Sequence, residues 1–270
     1  MLRSEGERLR KVIVCTPEKE YFKVDNLRAH NIEEIADKEK AKTQHDELKR
    51  ILRNFGSEII DIPELQNHPN SIFTRDTAVC IPYGYIRLRM GLETRKGEEE
   101  WMSEILNSLG ESLVGSIKDP GTVEGGDIIL GGRVAFIGHS LRTNSQGVKQ
   151  ISEILKSMNY EIRAANLPKN YLHIGGAMTM IGPENILCCK NVFPEDFFKD
   201  FEITEIECPS SITSNVIYLG NQEVIADSSN YKAIEALERK GYKIHAIDLS
   251  EFVKGKGGPS CLILPIERKD

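Results

Sequence analysis

A cysteine near the C-terminus and a histidine in the middle of the chain have the chemistry of a nucleophile and its proton carrier. Cys261 follows the loop 257–260, Gly-Gly-Pro-Ser, whose glycines let the backbone approach a ligand closely. A thiol attacks as its thiolate, which a nearby cation favours, and imidazole exchanges protons near neutral pH. We therefore predict that Cys261 is a nucleophile and His173 its acid/base partner. A core thiol and a structural histidine are the open alternatives.

Three carboxylates stand in two short polar motifs. Asp76 belongs to the motif FTRD, and Glu124 and Asp127 belong to EGGD. Carboxylates that accept paired hydrogen bonds suit a planar cation with several N–H donors. Because buried carboxylates need a balancing charge, a cluster of them implies a cation, a metal or a ligand. For Asp76 and Asp127, capping a turn is an equal alternative. A metal is disfavoured, because the cysteine and histidine lack a recognised ligand spacing.

The elements that must position these residues are β-hairpins. Four times, two short β-prone runs flank a tight turn, which is the signal for a hairpin. These pairs are DTAVCI with YIRLR, DIIL with RVAFIG, AMTMI with ILCC, and SNVIYL with QEVIA. A fifth pair is split between SCLILPI near the C-terminus and KVIVCTP near the N-terminus. Pairing of these two strands would close the sheets into a ring and protect their edges.

Each hairpin is followed by a helical stretch and one more strand, which makes a weak internal repeat. We predict helices over 33–54, 97–109, 145–158, 194–199 and 229–239, in units that begin near residues 78, 127, 177, 215 and 261. In a ring of like units, the junctions before the hairpins face one end of the axis. The residues at these junctions are Asp76, Glu124, His173, Asn215 and Cys261. Ordinary α+β packing with coincidental spacing is the alternative.

The composition limits the classes of function. The chain has 270 residues, 40% of them hydrophobic and 28% charged, with no linker, which predicts one globular domain over 1–270. The net charge of −6 argues against nucleic acid as a partner. No run approaches the roughly 20 apolar residues that span a membrane, and the charged N-terminus lacks a secretory signal. The six cysteines lack the spacing of a disulfide framework, which predicts free thiols and a cytoplasmic location.

Six motifs, taken in order along the chain, resemble those of the guanidino-group-modifying superfamily, the penteins. The motifs are FTRDTAV (73–79), EGGD (124–127), SLRTN (140–144), LH (172–173), SNVIYLG (214–220) and GGPSC (257–261). The superfamily includes arginine deiminase, dimethylarginine dimethylaminohydrolase and the amidinotransferases. The resemblance implies an α/β (α+β) fold, the five-bladed α/β propeller with pseudo-fivefold repeats of hairpin, helix and strand. It implies no metal and no organic cofactor.

The resemblance also implies roles at the guanidino group. Cys261 would attack the guanidino carbon, and His173 would protonate the departing amine and then activate water. Glu124 would support the guanidinium or the histidine. Asp76 would hold the guanidinium, with Asp127 as a further substrate-binding residue.

Three more residues match positions that bind the amino-acid part of the substrate. Arg89, in RLRMGLETRKGE, and Arg142, in SLRTN, resemble the arginines that bind the carboxylate. A solvated surface position is the alternative for both. Asn70, six residues before Asp76, resembles a substrate-binding asparagine of the deiminases.

The length of the chain, without an inserted helical domain, resembles dimethylarginine dimethylaminohydrolase more than the longer deiminases. Deiminases and amidinotransferases carry an aspartate two residues after the histidine, where this chain has Gly175. In the other direction, FTRD and GGPSC are more similar to deiminase motifs, and Arg75 stands where the dimethylaminohydrolases often have an acid.

We therefore predict a hydrolase that cleaves a guanidino C–N bond of arginine or Nω-methylated arginine. Arginine deiminase or dihydrolase, an amidinotransferase, and a non-catalytic ribosome-binding propeller are the alternatives. The expected partner is a small guanidino amino acid, and a homodimer is an open option.

Overall fold

Fifteen strands form five three-stranded sheets in the computed structural model, which describes residues 2–269. The strands are β1 (Leu9–Cys15), β2 (Glu58–Ile62), β3 (Ala78–Ile81), β4 (Gly84–Arg87), β5 (Leu113–Ser116), β6 (Ile128–Gly131), β7 (Val134–His139), β8 (Glu161–Asn166), β9 (Met178–Met180), β10 (Asn185–Cys189), β11 (Glu202–Ile206), β12 (Val216–Gly220), β13 (Glu223–Asp227), β14 (Lys243–Ile247) and β15 (Leu264–Arg268). Short apolar runs separated by turns favour these short strands.

The five sheets share one strand order. In each sheet the middle strand pairs antiparallel with its hairpin partner and parallel with a third strand that follows later. The sheets are β3-β4-β5, β6-β7-β8, β9-β10-β11, β12-β13-β14 and β15-β1-β2. In the last sheet Leu264 lies opposite Ile13, so the split pair closes the ring. The predicted five units and their closure are confirmed.

The first strand of each unit lies nearest the centre of the ring. Every residue of β3, β6, β9 and β12 is buried, whereas the third strands β2, β5, β8, β11 and β14 all have exposed residues. First strands of neighbouring units also contact one another, as β15 contacts β3 and β9 contacts β6 and β12. The segments directly before these strands therefore gather at one end of the ring.

Helices lie between the hairpins and the third strands in four units. They are α1 (Lys38–Phe55), α2 (Glu98–Ser108), α3 (Ser145–Ser157) and α4 (Tyr231–Arg239); the short α5 (Ser250–Val253) lies between β14 and β15. The helix predicted from residue 33 begins five residues later, because the Asp37 carboxylate caps it by accepting from the Lys40 amide at 2.9 Å. Within residues 2–269, no helix combines the length and the apolar character of a membrane span.

The third unit departs from the predicted repeat. Residues 194–199 form turns instead of a helix. Aromatic packing occupies this region: the rings of Phe193 and Phe197 stack with centroids 4.9 Å apart, and Phe197 and Phe201 pack on Phe136 of β7. Phenylalanine side chains fill the place where the other units have a helix, since one face of the sheet must still be covered.

Cys189 and Cys208 form a disulfide between the end of β10 and the segment after β11. The prediction of free thiols is wrong for this pair. Their separation of 19 residues is not a recognised framework signal, and only the parallel pairing of β10 with β11 brings them together. The free cysteines are Cys15, Cys80 and Cys188, which are buried, and Cys261, which is partly exposed.

Ring closure depends on the packing of β1, which leads to a first prediction. Ile13 is fully buried in this middle strand, opposite Leu264 and Ile60. We expect Ile13→Ala to lower the free energy of unfolding by about 2–5 kcal/mol, because it removes three carbons from a packed core. Ile35 is 52% exposed, so Ile35→Ala should change the value by less than about 0.5 kcal/mol. Urea titration measures both. Equal effects would contradict the central position of β1.

Candidate active site

Four of the five junctions in the described chain are short 3-10 turns directly before the first strand of a unit. They are Thr74–Asp76, Gly125–Asp127, Ile174–Gly176 and Pro259–Leu262. The remaining junction, before β12, ends at Asn215. The structure brings Asp76, Glu124, His173 and Cys261 to this end of the ring, either in these turns or immediately before them.

Hydrogen bonds join the junctions of the first three units. The Gly126 amide donates to Asp76 Oδ1 at 3.1 Å, which links the first unit to the second. The Ile174 amide donates to Asp127 Oδ1 at 2.9 Å, which links the second unit to the third. The other oxygen of Asp127 accepts from Ser140 Oγ at 2.6 Å.

Asp127 is therefore placed differently from the substrate-binding role predicted for it. The side chain is fully buried, and each oxygen already accepts a hydrogen bond from the protein. Burial raises the pKa of Asp127 to about 6. A carboxylate that holds the Ile174 amide fixes the backbone beside His173, so the structure gives Asp127 a supporting position.

Asn215 continues this chain of bonds through the fourth and fifth units. Its Nδ2 donates to the carbonyl of Gly175 at 3.1 Å and to Cys261 Sγ at 3.7 Å. Its Oδ1 accepts from the Ser260 amide at 2.9 Å. The sequence placed Asn215 at a junction without a role. Its contacts link the histidine segment to the cysteine loop.

Glu124 is the most enclosed acid of the cluster. It is fully buried, and its Oε2 lies 2.8 Å from His173 Nε2. Arg142 Nη1 donates to both of its oxygens, at 3.0 and 3.1 Å, and the Gly91 amide donates to Oε1 at 3.0 Å. Burial would raise the pKa of Glu124, but Arg142 and His173 together hold it well below its usual range.

His173 is packed between two carboxylates. Its Nε2 meets Glu124, and its Nδ1 lies 3.8 Å from Asp76 Oδ1. Burial would lower the pKa of His173, but the negative charges of Asp76, Asp127 and Glu124 outweigh it and raise the pKa. Gly126 is required beside the ring, since a Cβ there would lie 2.6 Å from Nδ1 and 2.9 Å from Asp76 Oδ1.

Asp76 is held by an arginine that sequence reasoning missed. Arg95 Nη1 donates to Asp76 Oδ2 at 2.6 Å, and Arg95 Nε and Nη2 donate to Glu98 Oε2 at 2.9 and 2.7 Å. All three side chains are buried. Arg95 lies in the segment RLRMGLETRKGE, from which Arg89 was selected. An acid three residues after Arg95, at the start of a helix, was the available signal for a buried ion pair.

Arg89 lies outside this cluster of bonds. Its Nη2 donates to Asp119 Oδ1 at 2.6 Å and its Nη1 to the carbonyl of Gly121 at 3.1 Å. Its backbone forms an isolated β-bridge with Val123, which lies close in sequence to the 119–121 turn. This placement gives no support to the carboxylate-binding role predicted for Arg89. Arg142, in contrast, is buried at the cluster and is not a surface arginine.

Asn70 is buried beside the first junction. Its Nδ2 donates to the carbonyl of His30 at 3.0 Å, and its backbone carbonyl lies 3.4 Å from Arg95 Nη2. Its Oδ1 is a buried acceptor with no hydrogen-bond partner within residues 2–269. Buried polar atoms are rarely left unpaired, so this oxygen marks a position where a ligand donor fits.

Cys261 and His173 line the same small cavity. Asn215, Gly175 and Arg75 also line it, and Arg75 is paired with Glu5 at 2.6 Å. Burial, and after it the negative charge of Asp76, raise the pKa of the Cys261 thiol to about 11. The resting sulfur is therefore a neutral thiol at neutral pH, in a cavity that also contains an imidazole whose pKa is raised.

The cluster also offers ligand atoms for a metal ion. Asp76, Glu124 and His173 each present one such atom, and these atoms lie within 4.8 Å of one another. Both carboxylates are already bonded to arginines, Asp76 to Arg95 and Glu124 to Arg142. Their charge is balanced by guanidinium groups, which is the chemistry of a site for planar N–H donors.

A family model described as N,N dimethylarginine dimethylhydrolase, eukaryotic, matches residues 16–268. The chain belongs to this family. The match covers every residue of the cluster and all strands except β1, which ends at Cys15. The resemblance to guanidino-group-modifying enzymes, expected from six short motifs, is confirmed.

Named relatives of the dimethylarginine dimethylhydrolase family cover almost the whole chain. The dimethylarginine dimethylaminohydrolase of Pseudomonas aeruginosa is 32% identical over 253 residues, which are 94% of this chain and 98% of that protein. The enzyme of the same name from Streptomyces coelicolor is 27% identical over 88% of this chain and 90% of its own. An arginine deiminase from Oenococcus oeni is 24% identical over 88% of this chain and 70% of its own.

Solved structures of the family share the fold. A cysteine-to-serine variant of the Pseudomonas aeruginosa enzyme, complexed with citrulline, has a TM-score of 0.83 at 30% identity and covers 96% of this chain and 99% of its own. The N-terminal domain of a cyanobacterial arginine dihydrolase has a TM-score of 0.84 at 18% identity, covering 97% and 99%, and supports the fold alone. The predicted five-bladed propeller is confirmed.

The hydrogen bond between Glu124 and His173 generates a second prediction. We expect Glu124→Gln to lower the pKa of His173, because the change removes the negative charge that bonds Nε2 while it keeps the side-chain shape. The imidazole would then lose its proton at a lower pH, as measured by NMR titration of its ring nitrogens.

Glu223 provides a matched control. It lies 2.8 Å from His245 Nε2, in an equivalent acid–histidine pair on β13 and β14. Glu223→Gln should leave the titration of His173 unchanged. A His173 titration that is the same in Glu124→Gln and in the unaltered protein would contradict the electrostatic coupling of this pair.

Proposed function

We propose that this chain hydrolyses a guanidino C–N bond of Nω-methylated arginine or arginine, giving citrulline and an amine, with Cys261 as the nucleophile. One observation carries the proposal: Cys261 and His173 line a single cavity beside the buried acids Asp76 and Glu124. The acids can hold a guanidinium, the sulfur can attack its carbon and the imidazole can move the protons.

The first step requires a thiolate. In the resting site the raised pKa of Cys261 keeps the proton on sulfur, and Asp76 contributes to that rise. A guanidinium bound at Asp76 brings a positive charge next to the sulfur and offsets the carboxylate. It therefore lowers the pKa of the thiol and makes the nucleophile when the substrate is present.

The reaction then proceeds in two halves. Sγ forms a bond to the guanidino carbon, the C–N bond to the departing amine breaks, and His173 gives that nitrogen a proton. The product of this half is a thiouronium-type adduct on Cys261. His173 next takes one proton from water, whose oxygen bonds to the same carbon; the C–S bond then breaks, and the departing sulfur takes the second proton of that water. Glu124 stabilises the charged imidazole before it protonates the amine and again after it takes the proton from water, since it lies 2.8 Å from Nε2.

The amino-acid part of the substrate would be bound by Arg142 and Asn70. Arg142 is buried at the cluster, whereas Arg89 bonds Asp119 outside it. This difference favours Arg142 as the partner of the α-carboxylate. Asn70 Oδ1 is a buried acceptor without a hydrogen-bond partner in the described residues, which suits it to an ammonium donor. Arg95 is a further cation at the cluster, bonded to Asp76.

Gly175 favours a methylated substrate over arginine. It lines the cavity of Cys261, and its lack of a side chain leaves space beside the guanidino group. Deiminases and amidinotransferases carry an aspartate at this position, as noted above, which would bond the unmethylated nitrogen. Substituted nitrogens have fewer N–H donors and need volume, which a glycine provides.

The remaining alternatives are separated by simple assays. An amidinotransferase would require an acceptor amine, whereas a hydrolase turns over with water alone. A ribosome-binding propeller would hydrolyse no guanidino compound and would show no enhanced alkylation of Cys261. The cytoplasmic location, the homodimer and the extent of one domain over 1–270 stay predictions.

The assigned roles generate a third prediction. We expect His173→Ala to lower kcat by roughly 10²–10⁴-fold and to leave a covalent adduct on Cys261 that mass spectrometry detects, because water is no longer activated. Cys261→Ser should bind substrate without turnover and without an adduct. His139 bonds Asn166 away from the cluster, so His139→Ala should retain activity. Substantial steady-state turnover by either active-site variant would refute the assignment.

A fourth prediction concerns the substrate. We expect the unaltered chain to release dimethylamine from asymmetric dimethylarginine faster than ammonia from arginine. In Gly175→Asp the ratio of kcat/KM for arginine to that for dimethylarginine should rise by about 10-fold or more. The reason is that the new carboxylate adds a charge-assisted hydrogen bond to the unmethylated nitrogen of arginine. A Cβ at this position lies 3.2 Å from the Gly126 carbonyl, so the change requires only a small adjustment.

Gly175→Asn is the matched control, since it has the same shape without the charge and should shift the ratio less. The ratio cancels effects on the nucleophile that both substrates share. A ratio that does not change, or a preference for arginine in the unaltered chain, would replace the methylated substrate by arginine.

A further inference from the structure

We propose that Asn215 is a catalytic residue of this site, which holds the Cys261 sulfur in place and stabilises its thiolate through a hydrogen bond from Nδ2. The inference rests on the proposed function only in taking Cys261 as the nucleophile. It assigns a role to the fourth unit of the ring, which contributes no other residue to the reaction as described above.

The first support is that the orientation of the amide is fixed. Oδ1 faces the Ser260 amide at 2.9 Å, which requires an acceptor, and Nδ2 faces the Gly175 carbonyl at 3.1 Å, which requires a donor. A rotated amide would place like groups against each other on both sides. The donor end is therefore the one that reaches Cys261 Sγ at 3.7 Å, within hydrogen-bond distance for sulfur.

The second support is the close approach of the backbone to this side chain. Asn215 is only 2% exposed, and a Cβ at Gly258 would lie 2.6 Å from its Cγ and Oδ1. The glycine in the cysteine loop is thus explained by Asn215. A hydrogen bond within the loop closes its turn: the Cys261 amide donates to the carbonyl of Gly258 at 3.1 Å.

The third support is electrostatic. Burial of the sulfur among neighbouring groups and the negative charge of Asp76 both oppose its ionisation. A neutral donor next to the sulfur favours the thiolate over the thiol, because hydrogen bonds to a charged acceptor are the stronger ones. It does so without a fixed positive charge, which would repel a guanidinium substrate. Asn215 also ties the sulfur to Gly175, two residues from the imidazole of His173.

The test is the ionisation of Cys261 in the absence of substrate. The rate of its alkylation by iodoacetamide, followed by mass spectrometry of the Cys261 peptide across pH, reports the pKa of the thiol. We expect Asn215→Ala to raise this pKa and to slow alkylation near pH 8 by about 10-fold, the loss of one hydrogen bond to a charged group. Asn215→Asp keeps the acceptor for Ser260 but places an anion at the sulfur, so it should slow alkylation further.

Ser214 is the matched control. It is adjacent and fully buried, and its Oγ donates to the carbonyl of Gly176 at 2.9 Å, so it bonds the histidine segment as Asn215 does but makes no hydrogen bond to the sulfur. Ser214→Ala should leave the pH profile of alkylation unchanged. An unchanged profile in the Asn215 variants would overturn the proposal, as would equal shifts in Ser214→Ala and Asn215→Ala, which would indicate loop packing alone.

Two further measurements separate a loss of folding and a failure of the proposed function from a failure of the role of Asn215. If Asn215→Ala does not fold, Asn215→Asp retains the size and the Ser260 contact, and its profile decides. In turnover, the Asn215 variants should lose kcat by about 10-fold with little change in KM, since the sulfur and not the substrate loses a contact. A shifted alkylation profile in a protein that hydrolyses no guanidino compound would overturn the proposed function while the role of Asn215 at the sulfur stands.

Discussion

Hydrogen bonds between the junctions of neighbouring units are the constraint on which the active site depends. Apolar side chains alone would let five small sheets in a ring slide and tilt against each other. The bonds of Asp76 to Gly126, of Asp127 to Ile174, and of Asn215 to Gly175 and Ser260 fix the register of one unit against the next. Each bond joins a side chain of one junction to the backbone of another, so the position of every reactive group depends on its neighbour.

Ion pairs within the protein explain how several acids are buried together. Isolated carboxylates in an apolar interior would take up protons, but Glu124 is bonded by Arg142 and His173, and Asp76 by Arg95. Cations of the protein balance the charges of these acids. The sulfur has no comparable cation bonded to it and is a neutral thiol. The site thereby places a neutral thiol beside buried acids that are paired with cations.

The sequence predicted the features that all five units share, but not the contacts that occur in one unit alone. Hairpins and their junctions follow from local patterns, and so did the gathering of Asp76, His173 and Cys261. Arg95 was missed because its partner Asp76 is 19 residues away, while Arg89 in the same segment matched a motif equally well. The Cys189–Cys208 bond and the packing of the phenylalanines in the third unit depend on how one sheet packs. A local hydrophobic pattern in the sequence does not predict such packing. The contact of Asn215 with sulfur spans 46 residues and two units, so it exists only in the closed ring.

The split sheet has a consequence for the order in which the molecule becomes an enzyme. β1 has its antiparallel partner, β15, only at the far end of the chain, as Leu9 pairs with Arg268 259 positions later, so the fifth unit is completed after the other four. Pairing of such distant segments is the slow part of folding, and chains fold from the N-terminus as they are made. Cys261 lies in the turn that leads into β15. The acids and the imidazole can therefore assemble first. The Cys261 sulfur reaches them only when β15 pairs with β1 and closes the ring.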